Sequence, residues 1–233
     1  MAHEWYSVDE LARQLGRDRR EIERLASRGR IPAHKRGNEW QFHAAEVTHW
    51  LEQEMRDYSD SQLAALENAQ ASPATQKEVP VTTLLRPELI QVPMEARTKR
   101  SVLEALVETA GRTWQIWEPA TILKAVQERE AFRSTAFDNG IAIPHPRNPL
   151  PDAIGEPLIA FGRTLNGIPF GAANNSLTDC FFLVLCKDTH THLQVLARLA
   201  RMVQLPDFLS QLREAETSSA TYDVILAAER QFS

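Results

Sequence analysis

One histidine stands between two prolines in the run Ile143-Pro144-His145-Pro146-Arg147, with guanidinium and hydroxyl groups just upstream at Arg129, Arg133, Ser134 and Thr135. Proline fixes its own φ near −65° and drives the residue before it out of the α region, so the His145 backbone is extended and stiff. Histidine offers a nitrogen nucleophile that is neutral near pH 7. Arginines supply planar donors for phosphate oxygens, and hydroxyl and backbone N–H groups supply the rest. The chemistry this points to is acceptance of a phosphoryl group on His145. One ring nitrogen attacks while the other is held by an acceptor that fixes the tautomer. Such a site needs an imidazole that a donor protein can reach.

These residues also carry a family resemblance. Arg129-Glu130, Ser134-Thr135, Asn139-Gly140-Ile141-Ala142-Ile143-Pro144-His145 and Thr191-His192-Leu193 resemble the active-site signature of phosphotransferase-system enzyme IIA domains of the fructose/mannitol type, including the nitrogen-related branch. The resemblance runs from about Leu84 to the C-terminus. It implies that His145 takes phosphate on Nε2 from the small phosphocarrier HPr or its nitrogen-branch counterpart. It also implies that His192 neighbours His145 and donates to the bound group, while Arg129 offsets its charge. Asn139 stands where mannitol-type members place an acidic residue and fits the nitrogen-related branch. From the residues themselves, Ser134 and Thr135 are expected to donate to phosphate, Gly140 to let the backbone come close, and Arg147 to touch phosphate or partner. His190 is given no role. A metal is not expected, because His145, His190 and His192 have no carboxylate or thiolate nearby in the sequence.

The chain that positions these groups has 233 residues, a net charge of −5, 43% hydrophobic and 24% charged residues, as in ordinary globular proteins. No stretch approaches the ~20 apolar residues of a membrane span, and Met1-Ala2-His3-Glu4-Trp5 is no secretion leader. A cytoplasmic location without membrane contact is expected. Cys180 and Cys186 lie six apart in an apolar run, which puts them on one face of a strand roughly 20 Å apart. They read as reduced core thiols. No cofactor is called for.

Three parts are expected: 1–56, 57–83 and 84–233. In the first, Ser7–Glu10 and Asp18–Glu21 read as capping boxes, opening helices that end at Gly16 and Gly29. Two short strands then flank the turn Gly37-Asn38, and a helix follows from about Ala44 to Glu54. Helix, turn, helix and hairpin make a winged helix-turn-helix pattern. Tyr6-Ser-Val-Asp-Glu-Leu-Ala, Arg30-Ile-Pro-Ala and Val47-Thr-His-Trp-Leu51 resemble the excisionase/MerR-like DNA-binding domain. Arg19, Arg20 and Arg24 on the second helix and Lys35 and Arg36 on the wing are the candidate DNA contacts. Trp40, Phe42 and Trp50 are expected as core. In the second part, a helix over about 62–69 with Leu63 and Leu66 on one side precedes a proline-bearing linker. In the third, helices over 99–110, 118–129, 191–204, 206–214 and 218–230 alternate with strands at 157–163 and 180–187. The fold class is α/β: a C-terminal mixed sheet with helices packed against it, plus the small winged unit.

Three functional readings stand at this point. The chain is a regulator that couples phosphorylation of His145 to DNA binding, a IIA phosphocarrier of sugar uptake serving a separate IIB domain, or a non-catalytic protein-binding sensor. The partners expected are an HPr-like phosphocarrier and DNA, with a homodimer matching the palindromes such domains read.

Overall fold

The computed structural model describes residues 5–70 and 79–232. The leader reading at 1–4 and the linker reading at 71–78 fall outside those residues.

The N-terminal unit runs β1 (Trp5–Tyr6), α1 (Val8–Leu15), α2 (Arg19–Ser27), β2 (His34–Arg36), β3 (Glu39–His43) and α3 (Ala44–Glu54). Ser7 Oγ accepts from the Glu10 N–H at 3.3 Å and the Glu10 carboxylate accepts from the Ser7 N–H at 2.8 Å, so the first capping box is complete. Gly16 closes α1 at φ 61°, a conformation glycine adopts without a Cβ clash. The second box forms only by half. Asp18 accepts from the Arg20 N–H at 2.7 Å, but the Glu21 carboxylate turns to Arg17 at 3.0 Å. The three strands make an antiparallel sheet in the order β1-β3-β2. Leu11, Ile22, Phe42 and Leu51 are buried beneath it, with Trp40 and Trp50 packed at the edge of the core.

After α3 a short 3₁₀ turn (Met55–Asp57) leads into α4 (Asp60–Gln70), then α5 (Val81–Leu84) and β4 (Ile90–Gln91). Helices α6 (Lys99–Ala110) and α7 (Pro119–Phe132) follow, capped by Thr98 and opened by Pro119 at N1. Proline suits that first turn because its missing N–H has no helical partner there. The rest is β5 (Ile141–Ala142), β6 (Leu158–Ile168), β7 (Thr178–Leu185), α8 (Thr189–Val203), α9 (Phe208–Glu214) and α10 (Ser218–Glu229). The four C-terminal strands form a mixed sheet ordered β4-β6-β7-β5. Its central pair β6/β7 is antiparallel and both flanking pairs are parallel. The stretch 180–185 of β7 is an unbroken apolar run with successive residues buried, Phe181 and Phe182 fully so, as expected of a strand covered on both faces. Cys180 and Cys186 are free, buried thiols. Burial pushes the Cys180 thiol up to about 12, helped by Asp179. Among the described residues no helix is long and apolar enough to cross a membrane.

The two units are not strung apart. Leu63 and Leu66 of α4 are buried, and α4 lies along α8. Glu67 of α4 holds Arg198 and, at 2.9 Å, Arg201, which also meets Asp60 at 2.7 Å. Gln70 donates to the Gln14 carbonyl of α1 at 2.6 Å and lies 3.1 Å from His190. The helix expected inside a connector is therefore the bracket that joins the units.

Candidate functional site

β5 is short because it delivers the chain to the prolines. Ile141 and Ala142 pair in parallel with Cys180 and Phe181 of β7. The next residues leave the sheet but stay pinned to it, since the Pro144 carbonyl accepts from the Val184 N–H at 2.9 Å. His145 Nδ1 lies 2.7 Å from the Ile143 carbonyl. A carbonyl only accepts, so Nδ1 carries the proton. In the neutral ring the lone pair then sits on Nε2, as the tautomer argument requires.

Asp188 caps α8 by accepting from the Thr191 N–H and hydroxyl, both at 2.8 Å. That fixes the first turn and sets His192 against His145, with ring centroids 5.0 Å apart at 64°. Burial lowers the His192 pKa against the opposing pull of Glu52, which keeps the ring neutral. Arg129, in the last turn of α7, completes the group. His145, His192 and Arg129 are all buried, at 4%, 2% and 3% exposure.

The sequence requires an imidazole that a donor can reach, and here the structure corrects it. The ring is sealed, and its cover comes from the chain's own N-terminal unit. Glu52, on the last turn of α3, extends into the cluster with its side chain 1% exposed. Its Oε2 is 3.2 Å from His145 Nε2 and 3.1 Å from Arg129 Nη2; its Oε1 is 3.2 Å from His192 Nε2. His49, one turn earlier, lies 3.7 Å from Oε2. Burial alone would raise the Glu52 pKa. The facing His145, with the hydrogen bond from His192 and the nearby His49, outweighs it and holds the carboxyl well below its usual range.

Around this ion cluster, Arg56 donates to the carbonyls of Ser134 (2.6 Å) and Ala136 (3.0 Å). Arg133 reaches Gln53 Oε1 at 2.5 Å. Burial, with Arg133 and Arg129 nearby, lowers the Arg56 pKa. A cavity of about 30 Å³ remains beside His145, lined by Glu52, Arg56, Arg129 and Thr135. That is room for one or two waters.

The other sequence candidates are placed differently. The Ser134 hydroxyl donates to the Phe170 carbonyl at 2.8 Å. Thr135 lines the cavity, but its hydroxyl is bonded to Glu130, which also takes the Thr135 N–H at 2.8 Å. Gly140 does allow a close approach, at φ 96°, but the group that approaches is Arg213: a Cβ there would lie 2.4 Å from Arg213 Nη2. Arg147 is exposed and stacks over Phe132 at 5.9 Å. Among the described contacts, none brings Ser134, Gly140 or Arg147 to His145. The ground given against a metal also fails, because Glu52, His145 and His192 place one carboxylate and two imidazoles within 4.8 Å. The Arg129 guanidinium on the same carboxylate oxygen makes the spot favour an anion over a cation.

On the helix-turn-helix unit, Arg20 and Arg24 are exposed. Arg19 is exposed but tied to Asp9 at 2.6 Å and Glu23 at 3.1 Å. Lys35 lies over Trp40 at 5.7 Å and Arg36 over Trp5 at 4.7 Å.

Comparison with known proteins agrees with this architecture. Residues 83–228 match the family described as phosphoenolpyruvate-dependent sugar phosphotransferase system, EIIA 2, and residues 5–55 match a helix-turn-helix domain. The chain belongs to the EIIA 2 family. The fructose-specific EIIA component of Haloferax volcanii is 31% identical over 147 residues, 62% of this chain and 94% of that one. The nitrogen regulatory protein of Pseudomonas aeruginosa is 31% identical over 140 residues, 59% of this chain and 88% of that one. Against the fructose-specific EIIABC component of Bacillus subtilis, 28% identical, the match covers only 23% of the relative. The crystal structure of the nitrogen regulatory protein IIA-Ntr from Neisseria meningitidis superposes with a TM-score of 0.57 at 22% identity, over 62% of this chain and 98% of that one. These matches cover the EIIA domain. Glu52, His49, Gln53 and Arg56 lie outside it, and no local pattern in the sequence singled them out.

Proposed function

We propose that this chain is a regulator in which the EIIA domain accepts a phosphoryl group on His145 Nε2 from an HPr-like phosphocarrier and couples that event to DNA binding by the helix-turn-helix unit. The observation that carries the reading is the fixed tautomer. With Nδ1–H bonded to the Ile143 carbonyl, the lone pair of the neutral ring is on Nε2, and the His192 ring and the Arg129 guanidinium are buried in the same cluster around Glu52. Both can bind phosphoryl oxygens, so the protein supplies position and charge compensation, which is most of what phosphoryl transfer requires. Exposed Arg20, Arg24, Lys35 and Arg36 give the other unit a cationic face for the DNA backbone. The test is incubation with a phosphorylated HPr-like carrier followed by intact-mass measurement. A gain of one phosphoryl group that His145→Ala abolishes supports the reading, and no gain refutes it.

The likeness to a fructose-specific component of Haloferax volcanii favours a second reading, in which the domain passes phosphate onward to a separate IIB domain and the N-terminal unit only docks. A salt titration of DNA retention separates the two. A DNA binder loses affinity steeply as salt rises, whereas a docking unit retains no DNA even at low salt.

A further inference from the structure

The EIIA site is already occupied, and its occupant is an anion. The carboxylate of Glu52 takes Arg129 Nη2 at 3.1 Å and His192 Nε2 at 3.2 Å, the two groups available to a phosphoryl group on His145. Its Oε2 also lies 3.2 Å from His145 Nε2, close enough to crowd a group bound there. That nitrogen is buried and has no properly directed hydrogen bond of its own. The remaining cavity of about 30 Å³ is too small for a phosphoryl group beside the carboxylate. The rest of the seam reinforces the contact: Arg56 grips two carbonyls of the 134–136 segment, and α4 lies ion-paired along α8.

We infer that Glu52 is an internal phosphate mimic that clamps the helix-turn-helix unit onto the EIIA domain, and that phosphorylation of His145 evicts it. This rests on the reading of His145 as phosphoacceptor. In the transfer, the His145 Nε2 lone pair forms the new P–N bond. The donor's P–N bond breaks, and its electron pair returns to the donor nitrogen. The Nδ1 proton stays on its bond to the Ile143 carbonyl. The arriving group brings about −1.5 to −2 charge. Two anions cannot share one guanidinium and one imidazole N–H in a dry pocket. The phosphoryl group takes those donors, α3 loses its anchor, and the N-terminal unit is released from the EIIA face. The reverse also holds: a clamped chain is a poor acceptor, because its nucleophile is reached only in the fraction of molecules that are open. The cationic residues of α2 and the wing are exposed while the clamp is shut. Release therefore changes how the helix-turn-helix unit is held, and does not uncover its surface.

The experiment uses the full chain as wild type, Glu52→Ala, Arg56→Ala and His145→Ala. Phosphoramidate serves as a small P–N donor that needs no docking surface. With an open fraction of about 1–10% in wild type, Glu52→Ala labels about 10- to 100-fold faster, and Arg56→Ala, which frees the Ser134 and Ala136 carbonyls at the seam, labels faster as well. Hydrogen exchange across 44–54, measured with no donor, rises in both variants and in phosphorylated wild type. Wild type labelling as fast as Glu52→Ala would overturn the clamp. So would unchanged exchange across 44–54 in Glu52→Ala, which involves no phosphorylation. If no chain labels, eviction falls together with the acceptor reading, while the exchange comparison still decides whether Glu52 holds the units together.

Discussion

Glu52 Oε2 and His145 Nε2 stand 3.2 Å apart across the seam between the helix-turn-helix unit and the EIIA domain. One residue belongs to the part of the chain that matches a helix-turn-helix domain and the other to the part that matches EIIA. Arg129 is common to both of the proposed states, since it holds the carboxylate now and in the proposed transfer holds the phosphoryl group.

That double duty makes Arg129→Ala informative. Losing a preorganised charged donor in a water-poor site typically costs about 10²–10³ in rate. Single-turnover transfer to His145 is expected to fall by about that factor even though the variant also loosens the clamp. Arg129→Lys restores charge but not the planar fork and recovers only part of the rate. A rate in Arg129→Ala equal to wild type would remove Arg129 from the transfer.

The grouping of His145 with Arg129 and His192 was legible because its signals are local: prolines on either side of His145, and a capped turn just ahead of His192. Glu52 was not. It sits in Leu51-Glu52-Gln53-Glu54, which reads as the polar flank of an amphipathic helix, and its guanidinium partner lies 77 residues away. A buried carboxylate cannot be told from a solvated one until the partner surface is known. Ser134 and Thr135 show the opposite case. Their types suit phosphate, but nearer acceptors, the Phe170 carbonyl and Glu130, hold both hydroxyls. The helices were read within a few residues because capping and periodicity are local signals. The docking of α4 on α8 depends on Glu67 meeting Arg198 and Arg201, and periodicity does not reach that far.

Glu130 gives a stability prediction separate from the clamp. Its carboxylate takes the Thr135 N–H at 2.8 Å and pairs with Lys99 at 2.7 Å, with its own side chain 1% exposed. Glu130→Ala leaves a buried N–H without its partner and an ammonium without its anion. Such losses cost about 1–3 kcal/mol each, so urea unfolding is expected to show a loss of about 3 kcal/mol. A loss under about 1 kcal/mol would mean that solvent replaces these bonds.

For DNA, Arg20→Ala and Arg24→Ala are each expected to weaken binding and lower the salt slope by about one. Arg19→Ala should do less, because Asp9 and Glu23 already hold that guanidinium. Fluorescence anisotropy across a salt series reads all three. Equal slopes in Arg20→Ala, Arg24→Ala and wild type would move the DNA face away from α2.

Acid should dismantle the clamp in a defined direction. The Glu52 carboxyl is held well below its usual range by His145, His192 and His49 against the effect of burial, with Arg129 also facing it. A carboxyl whose folded value is depressed stabilises the folded form fully above its ordinary value, about 4.3, and loses that contribution as pH falls toward the folded value. Glu52→Gln lacks the ionisation altogether. The stability gap between wild type and Glu52→Gln is therefore expected to be present at about pH 5 and to shrink below about 4.3. Urea denaturation at a series of pH values reads it. A gap already absent at about pH 5 would show that the carboxylate is not held in its charged form by this cluster.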